Sequence, residues 1–349
     1  MTEPNYPLDC WYVAATTDEV GREPLGRTLL DRPVVLYRTL DGAVVALSDR
    51  CAHRGYPLSR GRVDEDLLVC GYHGLRYDAS GTCVKVPTQA NVPYQACVPS
   101  YPVQERPPYL WIWLGDPRRA PLAPIPDLPW LTAPEWTALG TTVHVDANFM
   151  LLHEHYLDLT HIPEVHPIET PTGMEEMPGF DEVIISETSA TYERKLPRTP
   201  LAEWEVEWTR LPADRDYDRR HQATFISPAV LCDSWEIDSG TEVLPHLARV
   251  HALTPESPTS THMFWQLARN YETERAVISE YLREVFEAVM HRDVAVVETI
   301  QGTIGYDGAQ AGIRISADAG VLRVRRIVAG MLALETGRRS RFGSVRAGA

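Results

Sequence analysis

The sequence predicts an α+β architecture in two parts: an all-β first third, then a longer portion that combines an antiparallel sheet with helices. Three observations carry this expectation. Short β-branched or aromatic runs crowd positions 27–117, punctuated by Asp-Gly, Ser-Gly and Pro. A proline-dense stretch, PRRAPLAPIPDLPWLTAPEW, then forms an extended connector. Beyond it, strand-like runs mix with helical segments near 147–160, 275–302 and 317–334.

Taken in order, RTLLDRPVVLYRT, GAVVALSD, LLVCGYHGLRYD, TCVKVP and YLWIWLGDP are the expected strands of the first part. ATYERKL, EWEVEWTRL, RHQATFISPAVL, EVLPHLARVHAL and THMFWQLAR are those of the second. The expected organisation is a domain over 1–118, a connector over 119–136, a second domain over 137–336 and a flexible basic tail over 337–349. That tail carries Arg338, Arg339, Arg341 and Arg346; fraying in solvent is the simpler account, docking to an acidic partner the alternative.

Bulk composition narrows the classes of function. A chain of 349 residues with 44% hydrophobic side chains can bury full cores without a disulfide framework. The net charge of −15, from 33 Lys+Arg against 48 Asp+Glu, argues against a nucleic-acid partner, which needs a basic face. No signal-peptide pattern and no run of 18 apolar residues is visible, so the expectation is a cytoplasmic protein without a membrane partner. Of the six Cys, Cys10, Cys83, Cys97 and Cys232 have no partner spacing and read as buried thiols.

The other two cysteines lie in CAHRGYPLSRGRVDEDLLVCGYH, which runs from 51 to 73. Cys51-x-His53 and Cys70-x-x-His73 offer two thiolates and two imidazoles in interleaved order, the donor set of a Rieske-type [2Fe–2S] cluster. Glycines beside both pairs let backbone amides approach bridging sulfides. A Cys2His2 zinc site is the alternative, although zinc modules commonly pair Cys with Cys. A Cys51–Cys70 disulfide would leave both histidines unexplained.

A second donor cluster lies in HEHYLDLTHIPEVH, residues 153–166. Asp158 and His161 are expected on one face of a helix. His161 and His166, about 140° apart on an ideal helix, converge only if Pro163 ends or distorts it. A third ligand comes from the helix that begins near Arg275. There Asp293 interrupts the apolar stripe Ile278, Leu282, Val285, Val289, Val296 and Ile300, and a buried carboxylate is costly unless paired or metal-bound. Two His and one carboxylate are the set used by non-haem Fe(II) oxygenases; pairing of Asp293 with a buried Arg or His is the plainer reading. His144, His251, His262 and His291 are isolated, and the periodicity around His153 and His155 is helical rather than that of a strand-borne His-x-His site. Phe225, Trp235 and Ile237 are candidate pocket residues or plain core.

With both clusters in view, the chain resembles the oxygenase α-subunits of the Rieske non-haem iron family, in particular the vanillate O-demethylase and dicamba monooxygenase group. The shared segments are WYVA at 11–14, CAHRG…CGYHG, LDLTH at 157–161 with VH at 165–166, LARN at 267–270 and ISADAG…RRI near the end. The resemblance implies an N-terminal Rieske domain and a catalytic domain. It implies cluster ligands Cys51, His53, Cys70 and His73, and a mononuclear Fe(II) on His161, His166 and Asp293. It makes Asp158 the catalytic bridge between a metal-ligand His, expected to be His161, and a cluster His, expected to be His73. In this family that bridge spans neighbouring subunits of a homotrimer. One departure stands out: the family usually has Asn three residues before the bridging Asp, where this chain has His155.

The implied activity is that of a terminal oxygenase. An NAD(P)H-dependent flavin and ferredoxin-type reductase, or a separate ferredoxin, supplies electrons, O2 is co-substrate, and a small methoxy-aromatic acid is O-demethylated. Ring or alkyl hydroxylation is the alternative within the family. An electron carrier without substrate chemistry is the alternative from another class; so is a zinc-stapled binding protein.

Overall fold

The computed structural model describes residues 6–180, 182–305 and 313–343. The chain divides into two compact units, one holding Tyr6–Ile125 with Thr254–Ser257, the other running from Pro126 to Leu253 and on from Pro258. The division falls at Ile125/Pro126, inside the expected connector. That segment holds two short 3-10 turns, Ala120–Leu122 and Pro129–Leu131, each with proline in its first two positions, where a missing N–H costs nothing.

The first unit is all-β among the described residues apart from 3-10 turns. Its strands are β1 (Trp11–Thr16), β2 (Leu25–Leu29), β3 (Arg32–Arg38), β4 (Val44–Ser48), β5 (Arg62–Asp64), β6 (Leu67–Val69), β7 (Arg76–Tyr77), β8 (Cys83–Lys85), β9 (Val103–Arg106) and β10 (Tyr109–Trp113). They form three antiparallel sheets in the orders β1-β10-β9, β2-β3-β4 and β5-β6-β7-β8. Val35, Tyr37, Leu47, Leu58, Leu68 and Tyr77 are fully buried around Cys51 and Cys70, so the two thiols sit at the edge of an apolar core. Cys83 is buried as expected; Cys97 is exposed and Cys10 only half-buried, contrary to expectation.

The second unit is built on one seven-stranded antiparallel sheet: β11 (Thr137–Val145), β12 (Glu182–Ile185), β13 (Ala190–Pro200), β14 (Asp216–Ser227), β15 (Val230–Ile237), β16 (His246–Ser257) and β17 (Ser260–Arg269), in the order β11-β17-β16-β15-β14-β13-β12. Strand alternation places Asp233 and Trp235 of β15 opposite Arg249 and Leu247 of β16, and His221 of β14 opposite Trp235. All five therefore share one face of the sheet.

Five helices accompany that sheet among the described residues: α1 (Phe149–Leu157), α2 (Ile162–Val165), α3 (Glu203–Thr209), α4 (Ala276–Ile304) and α5 (Ala319–Gly343). α3 corrects an expectation, since EWEVEWTRL reads as a strand from its alternating Glu and Trp. Trp204 and Trp208 are also one helical turn apart, and both bury on the same side with rings 6.1 Å apart. Glu205 reaches back to accept from the Ala202 amide at 2.8 Å, which closes the first turn.

α5 runs to Gly343, beyond the expected end near 334. Residues 337–343, expected to open a flexible tail, are its last turns, in a segment without proline. The side chains of Arg339 and Arg341, and all of Arg346, lie outside the described residues.

Candidate metal centres

In the first unit two loops of like geometry hold the Cys/His pairs. Cys51 N donates to Tyr56 O at 2.9 Å and Gly55 N to Cys51 O at 2.8 Å; Cys70 N donates to Leu75 O at 2.8 Å and Gly74 N to Cys70 O at 3.0 Å. Both turns need a residue in the left-handed region, and Gly55 (φ +68°) and Gly74 (φ +72°) supply it. The turns aim Cys51 and Cys70 into the core and His53 and His73 to the surface. The two Nδ1 atoms lie 3.2 Å apart, although the residues are 20 positions apart in sequence. Imidazoles sharing one metal ion at ~2.1 Å stand about 3 to 3.5 Å from each other, so this pair fits a common iron. Tyr77 closes the buried side, with its hydroxyl 3.2 Å from Cys51 Sγ and accepting from the Ala52 amide at 3.1 Å. Burial pushes the Cys70 thiol above its ordinary value, a penalty that bound iron removes by holding the thiolate.

The second centre forms where α1 ends. Asn148 caps α1 by accepting from Met150 N at 2.9 Å. Asp158, expected on a helical face, is instead the C-cap of α1 in extended conformation (φ −99°, ψ 99°). A 3-10 turn over Leu159–His161 follows, and Pro163 opens α2 rather than ending a helix. Proline in a first turn loses no hydrogen bond, which is why the chain can restart there and bring His166 round as the C-cap of α2.

The three imidazoles converge on one carboxylate oxygen of α4. Asp293 Oδ1 lies 2.7 Å from His166 Nε2, 2.8 Å from His155 Nε2 and 3.7 Å from His161 Nε2. The donor atoms of His155, His161 and Asp293 all lie within 4.8 Å of one another. His161 Nδ1 faces the Asp158 backbone carbonyl at 2.5 Å, which sets Nε2 as its free lone pair. Burial and the neighbouring His155 hold the His161 imidazole down to about 4, so it is a neutral donor at ordinary pH. Burial works to raise the Asp293 carboxyl, but hydrogen bonds from His155 and His166 prevail and pull it well below the carboxylate range. Three imidazoles and an ionised carboxylate are a donor set that suits a divalent first-row metal.

The Asp158 carboxylate behaves differently from expectation within the chain. Its Oδ1 accepts from Thr160 N at 2.9 Å and Thr160 Oγ1 at 2.7 Å, and it is the backbone carbonyl that meets His161. The stripe of α4 also drifts. Ile278, Leu282, Val289 and Asp293 are buried as expected, but Phe286 replaces Val285 and Val297 replaces Val296 on the buried side, and Ile300 is exposed. A 3.6-residue repeat cannot hold a seven-residue stripe in line over eight turns.

Beside Asp293 lies a narrow cavity of about 60 Å³, smaller than the roughly 300–1,000 Å³ of typical small-molecule sites. Trp204, Trp235, Leu247, Phe286 and Val289 wall it, and Arg249 is its one permanently cationic lining residue. Burial works against the Arg249 charge, but Asp233 more than offsets this and raises the guanidinium above its ordinary value. Of the candidate pocket residues, Trp235 lines the cavity; Phe225 and Ile237 are plain core. Asp233, Arg249 and His251 carry no motif and were not expected here; a charged residue inside a β-branched strand is their one signal in sequence.

A sulfide-bridged cluster site on an all-β unit and a mononuclear His/carboxylate site on an α+β unit define an iron–sulfur oxidoreductase with a second iron centre. The Rieske [2Fe-2S] domain pattern matches residues 10–102, and the vanillate O-demethylase oxygenase C-terminal domain pattern matches residues 145–334. The iron-sulfur subunit of a toluene-4-sulfonate monooxygenase system from Comamonas testosteroni is 34% identical over 94% of this chain and 98% of its own length. A vanillate O-demethylase oxygenase subunit from Pseudomonas sp. (strain HR199 / DSM 7063) is 32% identical over 95% and 96%. The crystal structure of dicamba monooxygenase bound to 3,6-dichlorosalicylic acid covers 95% of this chain and 99% of its own at 32% identity, with a TM-score of 0.87. Another structure of that enzyme, with non-haem iron and dicamba, scores 0.81. The chain belongs to the vanillate O-demethylase group of Rieske non-haem iron oxygenases, and its relatives are oxygenase components of multicomponent systems. No helix among the described residues is long and apolar enough to cross a membrane.

Proposed function

We propose that this chain is the terminal oxygenase that O-demethylates a small methoxy-aromatic acid. The observation that carries this reading is the cavity beside Asp293, an aromatic-walled space whose charged lining is the Arg249 guanidinium with the carboxylates of Glu169, Asp233 and Asp293. Trp204, Trp235, Leu247 and Phe286 offer apolar walls to an aromatic ring and Arg249 a partner to an acid group, and the narrow space widens for a ring only as these side chains move. The relatives support an acidic ligand, since their names give vanillate, toluene-4-sulfonate and 3,6-dichlorosalicylic acid.

When bound, the [2Fe–2S] cluster supplies single electrons and the mononuclear ferrous iron supplies dioxygen activation. Cys51, Cys70, His53 and His73 would hold the first; His161, His166 and Asp293 would hold the second. The chain does the rest. Arg249 orients the ring by its acid group, and the tryptophans exclude water. The overall conversion is ArOCH3 + O2 + 2 e− + 2 H+ → ArOH + CH2O + H2O.

His161 lines two clefts. One is the aromatic cavity; the other is lined also by His155, Asp158 and Arg325. We assign substrate to the first and electron entry to the second, with Asp158 as the bridging carboxylate toward a cluster histidine of a neighbouring copy in a trimer. A reductase or ferredoxin partner and a cytoplasmic location complete this reading. Oxidation at a methyl or ring carbon is the second reading, supported by the relative named for toluene-4-sulfonate, which has no methoxy group.

The test is a panel of methoxybenzoates and toluene-4-sulfonate incubated with the iron-loaded protein and a surrogate reductase. Stoichiometric formaldehyde and phenol from a methoxybenzoate are expected. Hydroxylation of toluenesulfonate with no formaldehyde from any methoxybenzoate would establish the second reading instead.

A further inference from the structure

We propose that His155 is a fourth protein ligand of the mononuclear metal, so that this chain presents three imidazoles and one carboxylate. The inference rests on the oxygenase reading above and concerns a residue at which the chain departs from its family's usual Asn.

The geometry treats His155 as the equal of the expected ligands. Its Nε2 is 2.8 Å from Asp293 Oδ1, a separation matched by His166 at 2.7 Å and shorter than that of His161 at 3.7 Å. Donors bound cis to one metal at ~2.1 Å lie about 3 Å apart, and trans donors about 4.2 Å. The donors of His155, His161 and Asp293 lie within 4.8 Å of one another, somewhat wider than one ion imposes, and His166 stands outside that group and joins it through Asp293 Oδ1 at 2.7 Å.

The two rings are close neighbours. His155 and His161 stack with centroids 4.0 Å apart and planes inclined by 26°. Stacked rings carry nearly parallel in-plane lone pairs, so binding one ion requires the His155 or His161 ring to turn about its side-chain bonds. The His155 side chain is 6% exposed and Asp293 3% exposed, so water does not compete for this nitrogen as it would at a surface histidine.

Sequence position explains the convergence. His155 lies in the last turn of α1, one and a half turns before His161, and Asp158 breaks the helix between them. That break turns the His161 ring back over His155. An Asn at 155 has a shorter side chain and a neutral amide, which binds metals far more weakly than imidazole.

The side on which His155 binds also matters. It lines the cleft shared with Asp158 and is absent from the walls of the aromatic cavity, which His166 and Asp293 line. A ligand there occupies a position away from substrate and leaves the cavity side open for O2. In a six-coordinate ion the number of positions open to solvent falls from three to two.

The deciding measurement counts imidazoles. The full-length protein is prepared with its cluster oxidised and diamagnetic, loaded with ferrous iron and exposed to nitric oxide. Pulsed electron paramagnetic resonance of the resulting S = 3/2 signal, with and without 15N-histidine, reports the coupled imidazole nitrogens. Three are expected in the unaltered protein and two in His155→Asn, whose ferrous dissociation constant should rise about 10- to 100-fold by competition with a chelator. Two imidazoles in the unaltered protein overturn the proposal and leave the oxygenase reading standing. The count in the unaltered protein decides the matter even if the variant fails to fold. Absence of any ferrous nitrosyl signal overturns both.

Discussion

Arg249 Nε donates to Asp233 Oδ1 across 2.6 Å, and the two residues face each other directly on neighbouring strands of the central sheet. Asp233 turns its other oxygen to His251 Nε2 at 3.1 Å, and the His251 ring stacks on Tyr156 at 3.8 Å. Arg249 is thus clamped at one nitrogen, while its guanidinium lines the cavity and passes 5.6 Å from the Phe286 ring centre. Burial opposes ionisation of Asp233, but Arg249 and His251 hold its carboxyl down to about 2. The clamp fixes the guanidinium at the edge of the cavity, so it spends little ordering entropy on meeting a ligand.

Arg249→Gln should therefore raise KM for an aromatic acid by about 10- to 150-fold, the worth of a charge-assisted hydrogen bond of roughly 1.5–3 kcal/mol. The neutral methyl ester of the same acid is the control. Equal losses on acid and ester would assign Arg249 a structural task instead.

Glu205 and Arg219 are both fully buried and paired at 2.7 Å, and Glu205 Oε1 also accepts from Trp235 Nε1 at 2.8 Å. Glu205→Ala leaves a guanidinium uncompensated and should destabilise the fold by about 3–5 kcal/mol. Chemical denaturation measures that loss. Because Trp235 walls the cavity, substrate binding should weaken in whatever fraction stays folded.

His221 is fully buried with neither ring nitrogen hydrogen-bonded, and burial drives its imidazole down to about 3. The unfolded chain takes up a proton near 6.5 that the folded chain refuses. This residue's contribution to stability is complete above pH 6.5 and is lost as pH falls from 6.5 toward 3, at up to about 1.4 kcal/mol per pH unit. Thermal unfolding of His221→Phe between pH 7 and 4.5 should show a shallower decline than the unaltered protein. Parallel declines would mean that other groups govern acid unfolding.

Asp158→Asn should retain both the cluster spectrum and the ferrous iron yet lose turnover by several orders of magnitude. Asp293→Ala should lose the mononuclear iron alone. Metal analysis and the visible spectrum read both variants; normal turnover in the first, or full iron in the second, would remove that residue from its assigned place.

Much of this site is legible in one dimension. The cluster residues lie within 23 positions, and their Cys-x-His and Cys-x-x-His spacing dictates two short loops whatever surrounds them. Asp293 announces itself as a carboxylate in an apolar stripe, because helical period converts position into burial. Local periodicity misleads where two periods coincide: the Glu-Trp alternation over 203–208 satisfies a strand, yet a one-turn Trp pair made it a helix once Arg219 and Trp235 supplied partners for Glu205.

By itself, then, the sequence pointed to two candidate donor sets and to the class of metal each suits, since ligand chemistry belongs to residue type and short spacing. Only the tertiary structure decided that His155 shares Asp293 with His161 and His166, and that Asp233 and Arg249 form the polar end of an aromatic cavity. Those relationships join residues 16 to 138 positions apart. Cross-strand register and helix-on-sheet packing create them, and neither has a local signature.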